Sequence, residues 1–304
     1  MFANIAPLLL AAAQITIPLG KAPTQIEKPI APIEIAGPEF DAACGGSEDW
    51  EKPAPPVRIF GNTYFVGTCG ISSILVTSPQ GHILIDSGTE ADADLVAANI
   101  RALGFRVTDV KILLQTHEHP DHVGGMSRLQ QLTGAQLLAS PAAARVIRSG
   151  VASPDDPQSG TLKTFPAARV DGLVQDGEYV RLGDNTLIAL ATPGHTPGAL
   201  TWHWGSCDGG VCRQIVYADS LTPVSGANYR FSQHPDYVRA FRASIAKVGA
   251  LDCDILITPH LGASKMQDRF ALRAPLENPN ACRDYAAMLG KALDDRLAKE
   301  AQGH

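Results

Sequence analysis

The six residues His117-Glu118-His119-Pro120-Asp121-His122 hold four potential metal ligands. Divalent zinc takes imidazole nitrogen and carboxylate oxygen in tight, near-tetrahedral shells, so donors at this density point to a metal site. On an extended loop His117 and His119, two apart, project to the same side. Asp121 and His122 follow as the chain turns and can reach a neighbouring ion. Two further histidines stand in comparable settings, His195 within Thr192-Pro193-Gly194-His195-Thr196-Pro197-Gly198 and His260 in Thr258-Pro259-His260. Taken alone, each reads as a structural loop residue. Beside the cluster, they supply the two ligands a dinuclear centre still needs. His82, His203, His234 and His304 lack such surroundings and read as surface or packing residues.

Strands must carry these residues. The apolar run Val110 to Leu114 reads as a buried parallel strand. The cluster therefore falls at a strand's carboxyl end, where open α/β sheets place their ligands. His195 follows a strand over Leu187 to Ala191, and His260 follows one over Asp254 to Thr258. Other strands are expected at 58–60, 63–66, 73–77, 82–86, 136–139, 200–204 and 214–218. Helices are expected at 90–103, 125–132, 142–147, 236–248 and 281–299, the first ending at Gly104, a fitting C′ residue. A polar loop with Pro154, Pro157 and Gly160 spans 149–165; long irregular loops inside compact domains are often functional. Strands first, then alternating strands and helices, twice over, predict an α/β fold of two packed sheets with helices outside.

With 304 residues, 45% apolar and 18% charged, the chain has the composition of a soluble globular protein with a sizeable core. A net charge of -6 leaves no basic footprint, which excludes nucleic acid as a partner. The acidic balance says little about substrate, because bound zinc ions would set the local field themselves. The apolar stretch Ile5 to Ala13 ends in three alanines and is too short to span a bilayer. Residues 1–20 are read as a secretory signal, although no Lys or Arg precedes Lys21. The Pro-, Ala- and Glu-rich residues 21–56 read as an extended surface arm, and 57–304 as one domain.

Six cysteines, an even number, agree with export to an oxidising compartment. Cys207 and Cys212 flank Asp208-Gly209-Gly210-Val211, a hairpin-like turn that a short bridge can close. Cys282 shares the apolar face of the last helix with Tyr285, Leu289 and Leu293 and can be tied to Cys253. That leaves Cys44 for Cys69. A second zinc site built of cysteines is disfavoured, since no CxxC pair exists.

From Gly70 to His260 the chain resembles the metallo-β-lactamase superfamily. The resemblance lies in Asp86-Ser87-Gly88-Thr89, His117-x-His119-x-Asp121-His122, His195 and His260. It implies an αβ/βα four-layer sandwich with two Zn2+ at one edge. Tyr217-Ala218-Asp219-Ser220-Leu221-Thr222 and Gly194-His195-Thr196-Pro197-Gly198-Ala199 are similar to the third subclass, B3, as is the bridge from last strand to terminal helix. What this implies is a periplasmic, monomeric β-lactamase of a Gram-negative bacterium, free of the membrane once its signal is removed. It would open penicillins, cephalosporins and carbapenems with water activated by the ions, and so confer antibiotic resistance. By position, His117, His119 and His195 would hold the first zinc, and Asp121, His122 and His260 the second. Asp121 would also orient the nucleophile. Ser220 and Thr222 would bind the substrate carboxylate, Thr222 standing where serine is commoner, and Gln158 matches a rim residue. Asp86 and Thr116 are candidates to orient the imidazoles.

Two rivals remain at this stage. A thioester or lactone hydrolase of the same fold would use Asp219 as an aspartate bridging both metals. A non-catalytic exported zinc-binding protein would close its ions with a cysteine-rich shell, which five histidines and one aspartate do not resemble.

Overall fold

The computed structural model describes Gln14–Ile15 and residues 37–302. Thirteen strands are described: β1 (Gln14–Ile15), β2 (Val57–Phe60), β3 (Thr63–Phe65), β4 (Ile74–Val76), β5 (His82–Ile85), β6 (Val110–Leu114), β7 (Gln136–Ala139), β8 (Gly172–Leu173), β9 (Tyr179–Leu182), β10 (Asn185–Ala191), β11 (Leu200–Asp208), β12 (Val211–Tyr217) and β13 (Ile255–Ile257). The α-helices are α1 (Pro38–Cys44), α2 (Ala93–Ala102), α3 (Pro120–Val123), α4 (Met126–Thr133), α5 (Pro141–Ser149), α6 (Pro235–Gly249), α7 (Met266–Phe270) and α8 (Ala281–Ala301). One sheet runs in the order β2-β3-β4-β5-β6-β7-β8 and the other β1-β9-β10-β11-β12-β13. Both are mixed. In the first, β2 to β5 pair antiparallel and β5 to β8 parallel.

Side-chain alternation along the central strands explains the layers. Ile83 and Ile85 of β5, Ile112 and Leu114 of β6, Ile215 and Tyr217 of β12, and Ile255 and Ile257 of β13 fill the space between the sheets. Their neighbours Leu84 and Leu113 turn to the opposite face and meet α2, α4 and α5. Val216 and Leu256 likewise meet α6 and α8. A strand covered on both faces has no reason to alternate apolar with polar, which is why these runs are continuous. The result is the four-layer helix–sheet–sheet–helix sandwich.

The signal expected over 1–20 lies outside the described residues, Gln14–Ile15 apart, as do residues 21–36 and His304. The described part of the expected arm is not extended throughout. Pro38–Cys44 forms α1 with proline in its first turn, where the missing amide hydrogen costs nothing, and buries Phe40 and Cys44. The Phe40 ring meets Phe65 and Phe270 edge-on, at centroid distances of 6.1 and 5.3 Å. The structure joins Cys44–Cys69, Cys207–Cys212 and Cys253–Cys282. Cys207 pairs directly with Cys212 across β11 and β12. Gly209 and Gly210 close that hairpin with φ of 55° and 86°, the left-handed values a two-residue turn requires.

Candidate metal centre

Five loops at the carboxyl ends of β5, β6, β10, β12 and β13 converge on one edge of the sandwich. After β6 the chain stays extended through His119, and Pro120 then starts the four-residue helix α3. Asp121 and His122 therefore rise on a helical turn facing back towards His117. Glu118, which points away from its neighbours, accepts hydrogen bonds from Thr196 Oγ1 (2.7 Å) and Gly198 N (2.8 Å), tying this loop to the one carrying His195. A side chain at Gly198 would collide with that carboxylate, since an added Cβ would lie 2.7 Å from both its oxygens. His260 opens the 3-10 turn Leu261–Ser264 and forms a bridge with Ile71.

The sequence-chosen donors come together in two groups. Ligand atoms of His117, His119 and His195 all lie within 4.8 Å of one another, as do those of His117, Asp121 and His122. His260 lies beside the second group: its Nε2 is 3.4 Å from Asp121 Oδ2, and its ring meets that of His122 edge-on at 5.1 Å.

Each imidazole of the buried set faces an oxygen from behind, within hydrogen-bond distance for all but His122. His117 Nδ1 donates to Asp219 Oδ1 at 2.8 Å, and His119 Nε2 to Asp156 Oδ2 at 3.0 Å. His195 Nδ1 lies 3.0 Å from both the carbonyl oxygen and the hydroxyl of Thr222. His122 Nδ1 faces Asp86 Oδ2 at 3.6 Å. Asp86, at a left-handed φ of 64°, accepts from the Thr116 amide and hydroxyl (both 2.7 Å) and from Tyr217 Oη (2.8 Å). Such backbone strain persists where surrounding bonds over-determine it, commonly at functional sites.

The inward nitrogens are the informative ones. Among the described residues His117 Nε2 is buried without a hydrogen-bond partner, and His122 Nε2 is buried facing only Asp121 Oδ2, at 3.1 Å. Leaving buried polar atoms unmade is costly, so these atoms fit a divalent ion better than empty space. Burial, with help from adjacent imidazoles, keeps His117 well below its ordinary pKa, His195 at about 3 and His260 at about 4. Neutral imidazole is the form that coordinates. His122 differs: burial would lower it, but Asp121 and Asp86 outweigh burial and raise it to about 10. Against the opposing effect of burial, the same contact with His122 holds Asp121 below the usual carboxylate range. Holding an ion in the second group would require His122 in its neutral form.

Of the expected substrate residues, Ser220 Oγ is buried and has no hydrogen-bond partner among the described residues. Thr222 turns both its oxygens to His195, so its first task here is to orient that ring. Gln158 reaches in from the 149–165 loop, its Nε2 3.4 Å from His195 Nε2. Asp219, the possible bridging ligand, instead stands behind His117, with its second oxygen 3.3 Å from the Leu221 amide. Asp156, Glu118, Tyr217 and Tyr285 were not legible as site residues. Tyr285 Oη donates to the carbonyls of Ser220 (2.7 Å) and Asp219 (3.1 Å) from α8, a distance no local motif reveals.

The Metallo-beta-lactamase superfamily profile matches residues 66–212. A solved structure of the MIM-2 metallo-beta-lactamase is 53% identical and superposes with a TM-score of 0.82, covering 87% of this chain and 99% of that one. The chain belongs to the metallo-beta-lactamase superfamily. MIM-1 from Novosphingobium pentaromativorans, at 48% identity and TM-score 0.85, covers 87% of this chain and 98% of its own. MEM-A1, a subclass B3 metallo-beta-lactamase from a soil metagenome library, is 43% identical with TM-score 0.81, covering 84% and 100%. Within the superfamily the chain thus groups with subclass B3. Curated relatives match less of it. A probable metallo-hydrolase of Burkholderia pseudomallei is 32% identical over 44% of this chain, which spans 48% of that protein. A hydroxyacylglutathione hydrolase of Cereibacter sphaeroides is 28% identical over 62% of this chain and 61% of its own length.

Proposed function

We propose that the protein is an exported zinc β-lactamase that hydrolyses the amide of penicillins, cephalosporins and carbapenems and confers resistance to them. The observation that carries this reading is the cage of imidazoles and one carboxylate around the buried, unpartnered His117 Nε2, set in a chain about half identical over nearly the full length of the MIM-type lactamases. His117, His119 and His195 would hold one zinc ion, and Asp121, His122 and His260 the other. Two such ions supply a water whose pKa falls towards about 7 and a Lewis acid for the carbonyl oxygen.

The chain's own groups do the rest. Asp121, whose Oδ2 lies 3.1 Å from His122 Nε2, would orient the attacking water and take up its proton. The Ser220 hydroxyl binds the substrate carboxylate, Thr222 supports it through His195, and Gln158 closes the rim. Among the described residues Ser220 Oγ has no hydrogen-bonded base to activate it as a nucleophile, so no covalent enzyme intermediate is invoked. Three disulfides support export to the periplasm, where such bonds persist. A monomer acting on small molecules is the assembly this reading takes.

The thioester or lactone alternative needs Asp219 between the metals. Its commitment to His117 Nδ1 and the Leu221 amide supports the lactamase instead. Steady-state hydrolysis of a chromogenic cephalosporin, a penicillin and a carbapenem, beside a homoserine lactone and a glutathione thioester, tests the reading. Turnover of the antibiotics, lost with a chelator and restored with zinc, is expected. Turnover of the lactone or thioester alone would reject it.

A further inference from the structure

The 149–165 loop is largely exposed, yet Asp156 within it is only 2% exposed. Its carboxylate has two partners. Oδ1 accepts from the Gln158 amide at 2.7 Å, and Oδ2 faces His119 Nε2 at 3.0 Å. The residues after it are equally committed. Pro157 O accepts from the Gly226 amide at 2.8 Å, and the Gln158 side chain lies against His195. Three consecutive residues of one loop thus grip a candidate ligand on the β6 loop, the loop after β12, and a candidate ligand on the β10 loop.

We propose that Asp156 is a positioning residue for the first zinc, coupling the placement of the 149–165 loop to the hold on the metal. The inference rests on the assignment of His119 to that ion. A carboxylate on Nε2 fixes the proton there, leaves Nδ1 as the ligand atom and raises its basicity, as carboxylates behind metal-binding imidazoles do. The same carboxylate organises the turn that presents Gln158. Loss of Asp156 therefore loosens the ion and the rim together, whereas an ordinary loop brace would loosen only the rim.

The test is equilibrium zinc competition against a chromophoric chelator, using the full chain. Wild type, Asp156→Ala and Asp156→Asn are compared, with Asp155→Ala, an exposed neighbouring carboxylate, as control. Asp156→Ala is expected to weaken one of the two zinc equivalents by about 10–100-fold, leaving the other and the control unchanged. Asp156→Asn removes the charge behind His119 in either amide orientation, so it serves if the alanine variant does not fold. Limited proteolysis reports the loop separately. Wild-type zinc binding in these variants, with 149–165 newly cleaved or not, overturns the proposal. No antibiotic enters the measurement, so its failure is distinct from failure of the lactamase assignment.

Discussion

His117 Nδ1 and Asp219 Oδ1 meet at 2.8 Å with both side chains fully buried. This pairing orients the one imidazole that both donor groups share, and it removes Asp219 from the metal side of the site. Asp219→Ala should therefore weaken zinc binding and lower kcat/KM by about 10–100-fold, the usual cost of losing a carboxylate behind a ligand. An aspartate bridging two ions would cost far more, with loss of one ion outright. Metal content of the purified variant separates the two outcomes.

Asp121 should behave differently. It lies on the inward side, within 3.1 Å of His122 Nε2 and 3.4 Å of His260 Nε2. Asp121→Ala is expected to lower kcat/KM for a chromogenic cephalosporin by more than about 100-fold, beyond the range of an outer partner. The circular dichroism spectrum should not change. Near-wild-type turnover in that variant would remove Asp121 from the mechanism.

The six candidate ligands could be read in the sequence because each follows an apolar strand closely and the loops are short. Their supports could not. Asp86 and Thr116 sit beside strands and were open to suspicion, whereas Asp156 is one carboxylate in a polar loop where exposure is the default expectation. Tyr217 and Tyr285 read as core aromatics, and their hydroxyls reach the site only once two sheets and a terminal helix are stacked. The fold was legible for the same reason as the ligands: continuous apolar runs mark strands covered on both faces. Helix α1 was hidden because Phe40 and Cys44 alone carry its buried face amid proline and alanine.

Ser220 should act in binding. Its hydroxyl is buried, unpartnered and beside the donor cage, with its backbone fixed by Tyr285. Ser220→Ala should raise KM for penicillins roughly 10-fold, about 1.4 kcal/mol for one charge-assisted hydrogen bond, with kcat nearly unchanged. A collapse of kcat with KM unchanged would argue for a role in the chemical step.

His82 makes the fold sensitive to acid at a place remote from catalysis. It is 1% exposed, neither ring nitrogen has a hydrogen-bond partner among the described residues, and the ring stands edge-on to Phe105 at 4.9 Å. Burial lowers its pKa to about 4 from an ordinary 6.5. The folded state thus binds its proton less readily than the unfolded chain does. The neutral ring's contribution is fully present above pH 6.5 and is lost as pH falls from there towards 4, by about 3 kcal/mol in total. His82→Leu should flatten the decline of Tm over this window; an identical slope for both proteins would exclude His82 as its source.

The Cys253–Cys282 bridge ties the approach to β13 to the first turn of α8, the helix whose Tyr285 holds the carbonyls of Asp219 and Ser220. Its 29-residue separation closes a loop worth about 3–4 kcal/mol on the chain-entropy scale. The Cys253→Ala, Cys282→Ala double variant should lose stability of that order in denaturant unfolding. It should also raise KM for penicillins, because Ser220 is anchored through α8, while zinc content stays at the wild-type level, because five of the six candidate ligands lie on other elements and His260 follows the far end of β13. A variant that lost zinc but kept its KM would show the helix supporting the metal cage rather than the substrate side.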